Sequence, residues 1–435
     1  MKNTAQLRRR ILTRKSSVSV VGQGYVGLSL ASAAAEAGFR VVGIDVNSVR
    51  VQDLADGRLS VPGVSPAAYE RGMATGRLTF STEFDVAAES DVICVCVPTP
   101  VRDGAPDLSY VEGAVAGVAA HLRAGQVVIL ESTTYPGTTE GPVREILQQG
   151  GLRGGLDFLL AYSPERIDPG NGEFDFRGIP RIVGGLTQES TGVAALFYGQ
   201  LVDKVVVVNS CRAAELAKLL ENTFRHVNIA LVNELAMICH QMGIDTWEVL
   251  DAAATKPFGF MAFQPGPGVG GNCIPVDPTY LAWQVRRDAG VRFRMLEQAQ
   301  EINDLMPSYV AGRIGEALND VGKAVRGAAV HVLGVAYKPE VGDARESPAI
   351  KVIEQLDRHG ATVTFSDPFV ESVDVNGRGL VRTDLSQRVV STADCVTLLT
   401  PHRAFDLEWI TEHAQMVFDA RNAFGPAHRD NVIPL

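Results

Sequence analysis

Residues 18–45 read VSVVGQGYVGLSLASAAAEAGFRVVGID, and this stretch decides the fold. Residues 18–21 are a short β-branched run, the composition a buried strand favours. GQGYVG follows at 22–27, then a helix-compatible run to Ala37, with Gly38 placed just past the helix end. A second apolar strand, 40–44, ends in Asp45. Strand, G-x-G-x-x-G, helix, strand and acid, in that order, spell a dinucleotide-binding βαβ unit. Gly22 makes the turn, Gly24 lets the backbone approach a pyrophosphate, and Gly27 lets the helix pack close to the strand. The pyrophosphate rests on the helix N-terminus, whose N–H groups and dipole favour an anion. Asp45 lies 18 residues after Gly27, placed to bond both ribose hydroxyls and to repel a 2′-phosphate. NAD is therefore expected in preference to NADP, with Arg50 the nearby group that could receive a phosphate.

Further βα units follow outward from this one. SDVICVCVPTP (90–100) reads as a continuous buried strand ending in Pro98, Thr99 and Pro100. QVVILESTTYPGTT (126–139) carries Ser132 and Thr133 after its apolar run, and FLLAYSPERIDPG (158–170) carries Glu165 and Arg166. Ligands of open α/β sheets bind at the carboxyl ends of strands, where Thr99, Ser132 and Thr133 fall. Turn and N-cap chemistry is the plainer reading of the same three residues, evenly balanced for Ser132.

From 212 to 242 the texture changes to RAAELAKLLENTFRHVNIALVNELAMICHQM, without Gly or Pro and with apolar residues at helical spacing. A helix of this length suits a domain link or a subunit interface. Lys218 and Asn222 lie one turn apart on it, surrounded by Leu219, Leu220 and Phe224, which argues against a merely solvated stripe. Residues 266–280, GPGVGGNCIPVDPTY, then place one cysteine, Cys273, in a glycine-rich loop. Asp277-Pro278 is a helix-start pair, acceptor then proline. A helix N-terminus favours thiolate over thiol, so Cys273 beside a carboxylate fits covalent catalysis. Alone, the pair also fits an inert loop cysteine and an ordinary cap.

Helical segments continue to about residue 324, including the run 295–305. A final α/β region begins at Ala328. ADCVTLLTP there mirrors DVICVCVPTP, with Asp394 for Asp91 and Thr400-Pro401 for Thr99-Pro100. This is a weak internal repeat, a second Rossmann-like half. It has Gly334 but no G-x-G-x-x-G, so a ligand other than a dinucleotide is expected. Lys338 and Arg345 follow its first strand, where they could meet phosphates; pairing with Asp343 or Glu346 is the plainer alternative.

Composition limits the rest. A chain of 435 residues is too long for one core. The expected architecture is α/β, two Rossmann-like doubly wound domains joined by a central helical domain with one long helix, divided as 1–208, 209–325 and 326–435. The net charge of −10 argues against nucleic acid as a general partner. Six scattered cysteines match no zinc spacing, so no metal is expected, and reduced thiols fit a cytoplasmic location. Arg8, Arg9 and Arg10 before an apolar segment imitate a signal peptide, but the fingerprint glycines explain that segment better. No run of 18 apolar residues exists, so no membrane partner is expected.

Taken together, VPTP, EST-x-x-PGTT, YSPERIDPG, the long helix, GGNCIPVDP and GVAYKPEVGDARESPA resemble the nucleotide-sugar 6-dehydrogenases over nearly the whole chain. That family includes UDP-glucose, GDP-mannose and UDP-N-acetylhexosamine dehydrogenases. TKPFGFM (255–261) and GPGVGG-x-CIPVDPxYL resemble the UDP-N-acetylglucosamine branch, with Val276 where UDP-glucose enzymes carry lysine. Asn272 stands where that branch usually has His, and Pro169 where the UDP-glucose branch has a second glutamate.

The resemblance implies Cys273 as nucleophile, with Asp277, Lys218, Asn222, Thr133 and Glu165 as the catalytic shell. It implies NAD on Gly22, Gly24, Tyr25, Val26, Gly27, Asp45, Arg50, Pro98, Thr99, Ser132 and Thr133. It implies the UDP-sugar on Glu165, Arg166, Lys218, Asn222, Gly270, Lys338 and Arg345, and a homodimer through the long helix. The expected reaction is four-electron oxidation of C6, with UDP-N-acetylglucosamine the first choice. UDP-glucose, UDP-N-acetylmannosamine and UDP-N-acetylgalactosamine are the alternatives. A two-electron hydroxyacid dehydrogenase would need neither Cys273 nor the second α/β half. A non-catalytic binder would not need the set Cys273, Lys218, Asn222 and Asp277.

Overall fold

The computed structural model describes residues 4–102, 104–167, 176–271, 274–425 and 430–435. Its contacts divide into two units, Met1–Glu221 with Thr279–Ala289, and Asn222–Pro278 with Gly290–Leu435. The division falls inside one unbroken helix, Cys211–Met242, whose 32 residues rise about 48 Å at 1.5 Å each.

In the first unit eight strands form one sheet. Their order across it is Val205–Val207, Arg181–Gly185, Leu159–Tyr162, Val127–Leu130, Val92–Val95, Ser17–Val21, Arg40–Ile44, Leu78–Ser81. Only Leu159–Tyr162 and Arg181–Gly185 pair antiparallel. The chain leaves Ser17–Val21 in one direction and returns to Val92–Val95 on its other side, so the topological switch lies between these two strands. Both are buried along their whole length, as a sheet covered on two faces requires. The helix Thr4–Leu12 belongs to this unit too: Leu7 and Ile11 enter its core, and Arg10 pairs with Asp91 at 2.7 Å.

The strand expected over 90–100 is shorter, Val92–Val95. Beyond it the chain leaves the sheet, because the Ser132 hydroxyl accepts from the Val97 N–H at 3.0 Å and donates to the Val97 carbonyl at 2.8 Å. Side-chain bonds there replace the ladder.

The second unit holds a five-stranded parallel sheet in the order Thr362–Ser366, Ala329–Leu333, Cys395–Leu398, Val417–Asp419, Val432–Pro434. This is the connectivity of the first sheet's middle, and the repeat extends to single bonds. Asp91 accepts the Ser17 N–H and Asp394 accepts the Ala329 N–H. Gly22 N–H donates to Ile44 and Gly334 N–H to Ser366. Both glycines sit at positive φ, +89° and +79°, against a carbonyl at the end of the neighbouring strand. Asp367 follows Thr362–Ser366 as Asp45 follows Arg40–Ile44, and accepts the N–H groups of Val335 and Ala336.

The halves part after the glycine. Helix Tyr25–Glu36 begins three residues past Gly22, whereas Pro348–Arg358 begins only after a loop. Asp367 meets His402 at 3.1 Å, inside the protein. The second half thus lacks the phosphate-binding turn. Helix Arg294–Asp320, longer than the expected 295–305 run, packs Met306, Val310, Ile314 and Leu318 into this unit's core.

Among the described residues five cysteines are free and buried, and no group of His, Cys, Asp and Glu could hold a metal. No described helix is long and apolar enough to cross a membrane.

Candidate active site

The N-terminus of Tyr25–Glu36 is open. Gly24 caps it without a side-chain bond, and a Cβ there would meet nothing within 4 Å. A Cβ on Gly27 would instead fall onto the Gly22 carbonyl, which fixes the helix against the turn. Unsatisfied helix N–H groups facing open space fit a pyrophosphate. Asp45 is buried and accepts from Gln23 N–H at 2.8 Å, Asn47 N–H at 2.9 Å and Arg50 at 2.9 Å. Arg50 is therefore engaged by the carboxylate. Tyr25 reaches from the same turn to the Ile167 carbonyl at 3.1 Å, joining the glycine loop to the 163–167 loop.

Strand ends supply the next residues. Pro98 is exposed, while Thr99, Thr133 and Val26 are half-buried. Ser132 is committed to Val97, as described; the Thr133 hydroxyl is bonded to none of the described residues. Tyr280, Gln284 and Trp283 of helix Asp277–Ala289 lock the loops here. Tyr280 donates to the Thr99 carbonyl, Gln284 to the Pro136 carbonyl, and Trp283 packs on Tyr135. Glu165 is buried, and its Oε1 accepts the N–H groups of Arg166 at 2.6 Å and Ile167 at 2.7 Å. Arg166 pairs with Glu221 at 2.8 Å.

On the long helix Lys218 is only 9% exposed and has no hydrogen bond or ion pair among the described residues. One turn earlier, Glu215 is fully buried and accepts from Gly137 N–H, Thr139 N–H and the Thr139 hydroxyl at 2.6, 2.9 and 2.7 Å. Burial pushes Glu215 up to about 7. It clamps the 137–139 turn to the helix, and nothing local in the sequence marks it.

The second unit holds its own set. Asn222 donates to Asp277, and both are buried. Asp277 was expected just before its helix and is instead the first residue of Asp277–Ala289, its carboxylate turned to Asn222. Cys273 and Asn272 lie outside the described residues. The glycine loop before them is held by a buried relay: Gly266 N–H donates to Asn233 at 3.0 Å, Asn233 to Asn303 at 2.9 Å, and Asn303 to the His226 carbonyl at 3.2 Å. Burial pulls His226 down to about 4, so it is neutral at pH 7.

A Cβ on Gly270 would come 2.7 Å from Pro348 Cδ and 2.9 Å from the Glu346 carbonyl. Gly270 therefore lies against the segment that carries Lys338 and Arg345. Arg345 is exposed and forked onto Asp343 at 2.7 and 3.0 Å, the surface pairing foreseen as its plainer reading. Lys338 lies 5.7 Å from the Tyr337 ring centre. Arg421 joins this group without a sequence signal. Its Nε donates to the Leu399 carbonyl at 3.0 Å, and a side chain at Gly266 would fall onto its guanidinium.

A glycine turn at a helix N-terminus, at the switch point of a doubly wound sheet, defines a nucleotide-binding protein with a second, altered copy of the same fold. Comparison with known families gives three matches in chain order. These are the NAD binding domain of the UDP-glucose/GDP-mannose dehydrogenase family over residues 16–202, its central domain over 212–305 and its UDP binding domain over 331–426. The chain belongs to the UDP-glucose/GDP-mannose dehydrogenase family. It is 35% identical over 413 residues to the UDP-N-acetyl-D-mannosamine dehydrogenase of Pyrococcus horikoshii, covering 93% of this chain and 95% of that protein. It is 34% identical over 420 residues to the NDP-N-acetyl-D-galactosaminuronic acid dehydrogenase of Ralstonia nicotianae, covering 93% of this chain. The solved UDP-D-ManNAc dehydrogenase from Pyrococcus horikoshii superposes with a TM-score of 0.87, covering 96% of this chain and 98% of that one.

Proposed function

We propose that the protein oxidises C6 of a UDP-N-acetylhexosamine from alcohol to carboxylate with two NAD and one water. Per sugar, two NADH and three protons are released. Lys218 is the observation that carries this reading. An ammonium taken from water without a counter-charge costs several kcal/mol unless a negative group arrives to pair with it. An oxyanion built on a sugar carbon is such a group.

NAD, when bound, supplies the hydride acceptor, and Gly24 and Asp45 are the residues that would hold it. Asp277, held by Asn222, takes the C6 hydroxyl proton, directly or through a water, and Thr133 orients that hydroxyl. The Cys273 thiolate adds to the aldehyde carbon, and Lys218 and Asn222 donate to the resulting oxyanion. After the second oxidation a thioester remains on Cys273. Water cleaves it, returning the thiolate and the sugar acid, while Glu165 fixes the loop beside which that water is positioned. Lys338, Arg345 and Arg421 meet the diphosphate and uridine.

The first choice made from the motifs was UDP-N-acetylglucosamine. The similar proteins are dehydrogenases of UDP-N-acetyl-D-mannosamine and NDP-N-acetyl-D-galactosaminuronic acid, which favours the C2 epimer, UDP-N-acetylmannosamine, as substrate. The test is NADH formation with UDP-N-acetylmannosamine, UDP-N-acetylglucosamine, UDP-N-acetylgalactosamine, UDP-glucose and GDP-mannose. The highest kcat/KM is expected with UDP-N-acetylmannosamine; turnover of none of the five contradicts the reading.

The apolar residues Leu216, Leu220, Phe224, Leu231, Ile238 and Met242 are exposed along the long helix, Leu220 by 61% and Leu231 by 62%. Their spacing of four and seven makes a stripe, and a second copy of the chain is its proposed partner.

A further inference from the structure

Behind Glu165 lies a set of buried charges that the proposed reaction does not use. Arg181, 2% exposed, extends from strand Arg181–Gly185 between two carboxylates. Its Nη2 donates to Glu131 Oε2 at 2.9 Å, and its Nη1 lies 2.6 Å from Glu165 Oε2. The same Nη1 donates to the Pro164 carbonyl at 3.0 Å. Tyr198 closes the far end, its hydroxyl 2.5 Å from Glu131 Oε1, and the guanidinium sits between the rings of Tyr198 and Phe176 at 5.0 and 5.1 Å. Glu131, Glu165 and Tyr198 are all buried.

We infer that Arg181 is a positioning residue for the proposed reaction, clamping the Pro164–Glu165 peptide and carboxylate in place, with Glu131 and Tyr198 as its backing. One cation between two carboxylates leaves a net negative charge inside the protein. Glu165 is the better supported of the two, because it also accepts two backbone N–H groups. The excess charge therefore falls on Glu131, which burial pushes up to about 7 against the pull of Arg181. The other titratable groups facing Glu131 are Cys94 and Cys96, whose thiols burial holds well above their ordinary range and so neutral. Proton uptake on Glu131 returns the whole of the Arg181 charge to Glu165. The clamp is thus tighter below that pH than above it.

The inference rests on Glu165 serving the reaction proposed above, and two measurements keep the two apart. The first is the pH profile of kcat with the full-length NAD-loaded protein. An ionisation near 7 is expected for the native chain. Glu131→Gln should abolish it. Tyr198→Phe, which removes a bond to the charged form, should move it to higher pH. Profiles that superimpose for all three proteins overturn the inference.

The second measurement needs no turnover. Amide exchange at Arg166 and Ile167, whose N–H groups lie on Glu165, should accelerate by about tenfold or more in Arg181→Lys and, above pH 7, slow in Glu131→Gln, which fixes the neutral state and with it the tighter clamp. Unchanged exchange in both overturns the clamp. A native chain that oxidises no sugar would instead sink the functional reading and leave the exchange data to decide the clamp. Tyr198→Phe removes one oxygen, so it retains the test if Arg181→Lys does not fold.

Discussion

At the scale of single residues the proposed chemistry rests on Lys218 and Cys273. A lysine almost wholly withdrawn from water, with no carboxylate partner among the described residues, is a poor element of a core and a good oxyanion partner. Lys218→Ala should cut kcat by about 10²–10³ and leave NAD affinity unchanged, as initial rates and NAD titration would show. Equal losses in both would mean that Lys218 supports the fold and not the reaction. Cys273→Ser should stop acid formation, since a hydroxyl at neutral pH offers far less nucleophile than a thiol that is a few per cent ionised. Acid formation at the native rate would remove the covalent step. Sequence alone pointed to both residues, because the helix pattern around Lys218 and the glycines around Cys273 are local. The pairing of Arg345 with Asp343 was the plainer of its two readings, whereas nothing local shows that Ser132 spends its hydroxyl on Val97.

Elements are held in place by pairs that no motif announces. The dinucleotide turn was legible because Gly22, Gly24, Gly27 and Asp45 sit on one short stretch with one purpose. Glu215 and Thr139 are 76 residues apart, Arg181 and Glu131 50, and Asn233 and Asn303 70, so their partnership exists only after folding. The repeat shows the same limit: the Asp394 echo was readable, whereas the Asp367 equivalence needed strand register.

Glu215 yields a prediction at this scale. Its folded value of about 7 exceeds the ordinary 4.5, so folding favours the protonated form. The stability it supports is complete below pH 4.5 and is lost as pH rises through about 7. Glu215→Gln should therefore gain on the native chain between pH 5 and pH 8. The gain should be on the order of 1–3 kcal/mol, since tenfold in proton affinity is worth about 1.4 kcal/mol. Thermal melts at the two pH values measure it, and a gap that does not change with pH contradicts the assignment.

For the whole molecule the internal repeat explains the division of labour. Both halves keep the first glycine, the acid after the second strand and an aspartate, Asp91 or Asp394, just before the strand on the other side of the first. Only the first keeps a helix starting at the turn, so only the first has the open N-terminus that a dinucleotide needs. The long helix adds the proposed contact between copies. Replacing Leu220 and Leu231 by Asp should convert a dimer to a monomer in sedimentation velocity, and a native chain that sediments as a monomer contradicts that contact. The account as a whole depends on one sugar carbon losing two hydrides without release of the aldehyde. The most direct measurement counts NADH formed per UDP-N-acetylmannosamine consumed, by absorbance and chromatography of one reaction. The account predicts two NADH for each sugar and a carboxylate as product; one NADH with free aldehyde would contradict it.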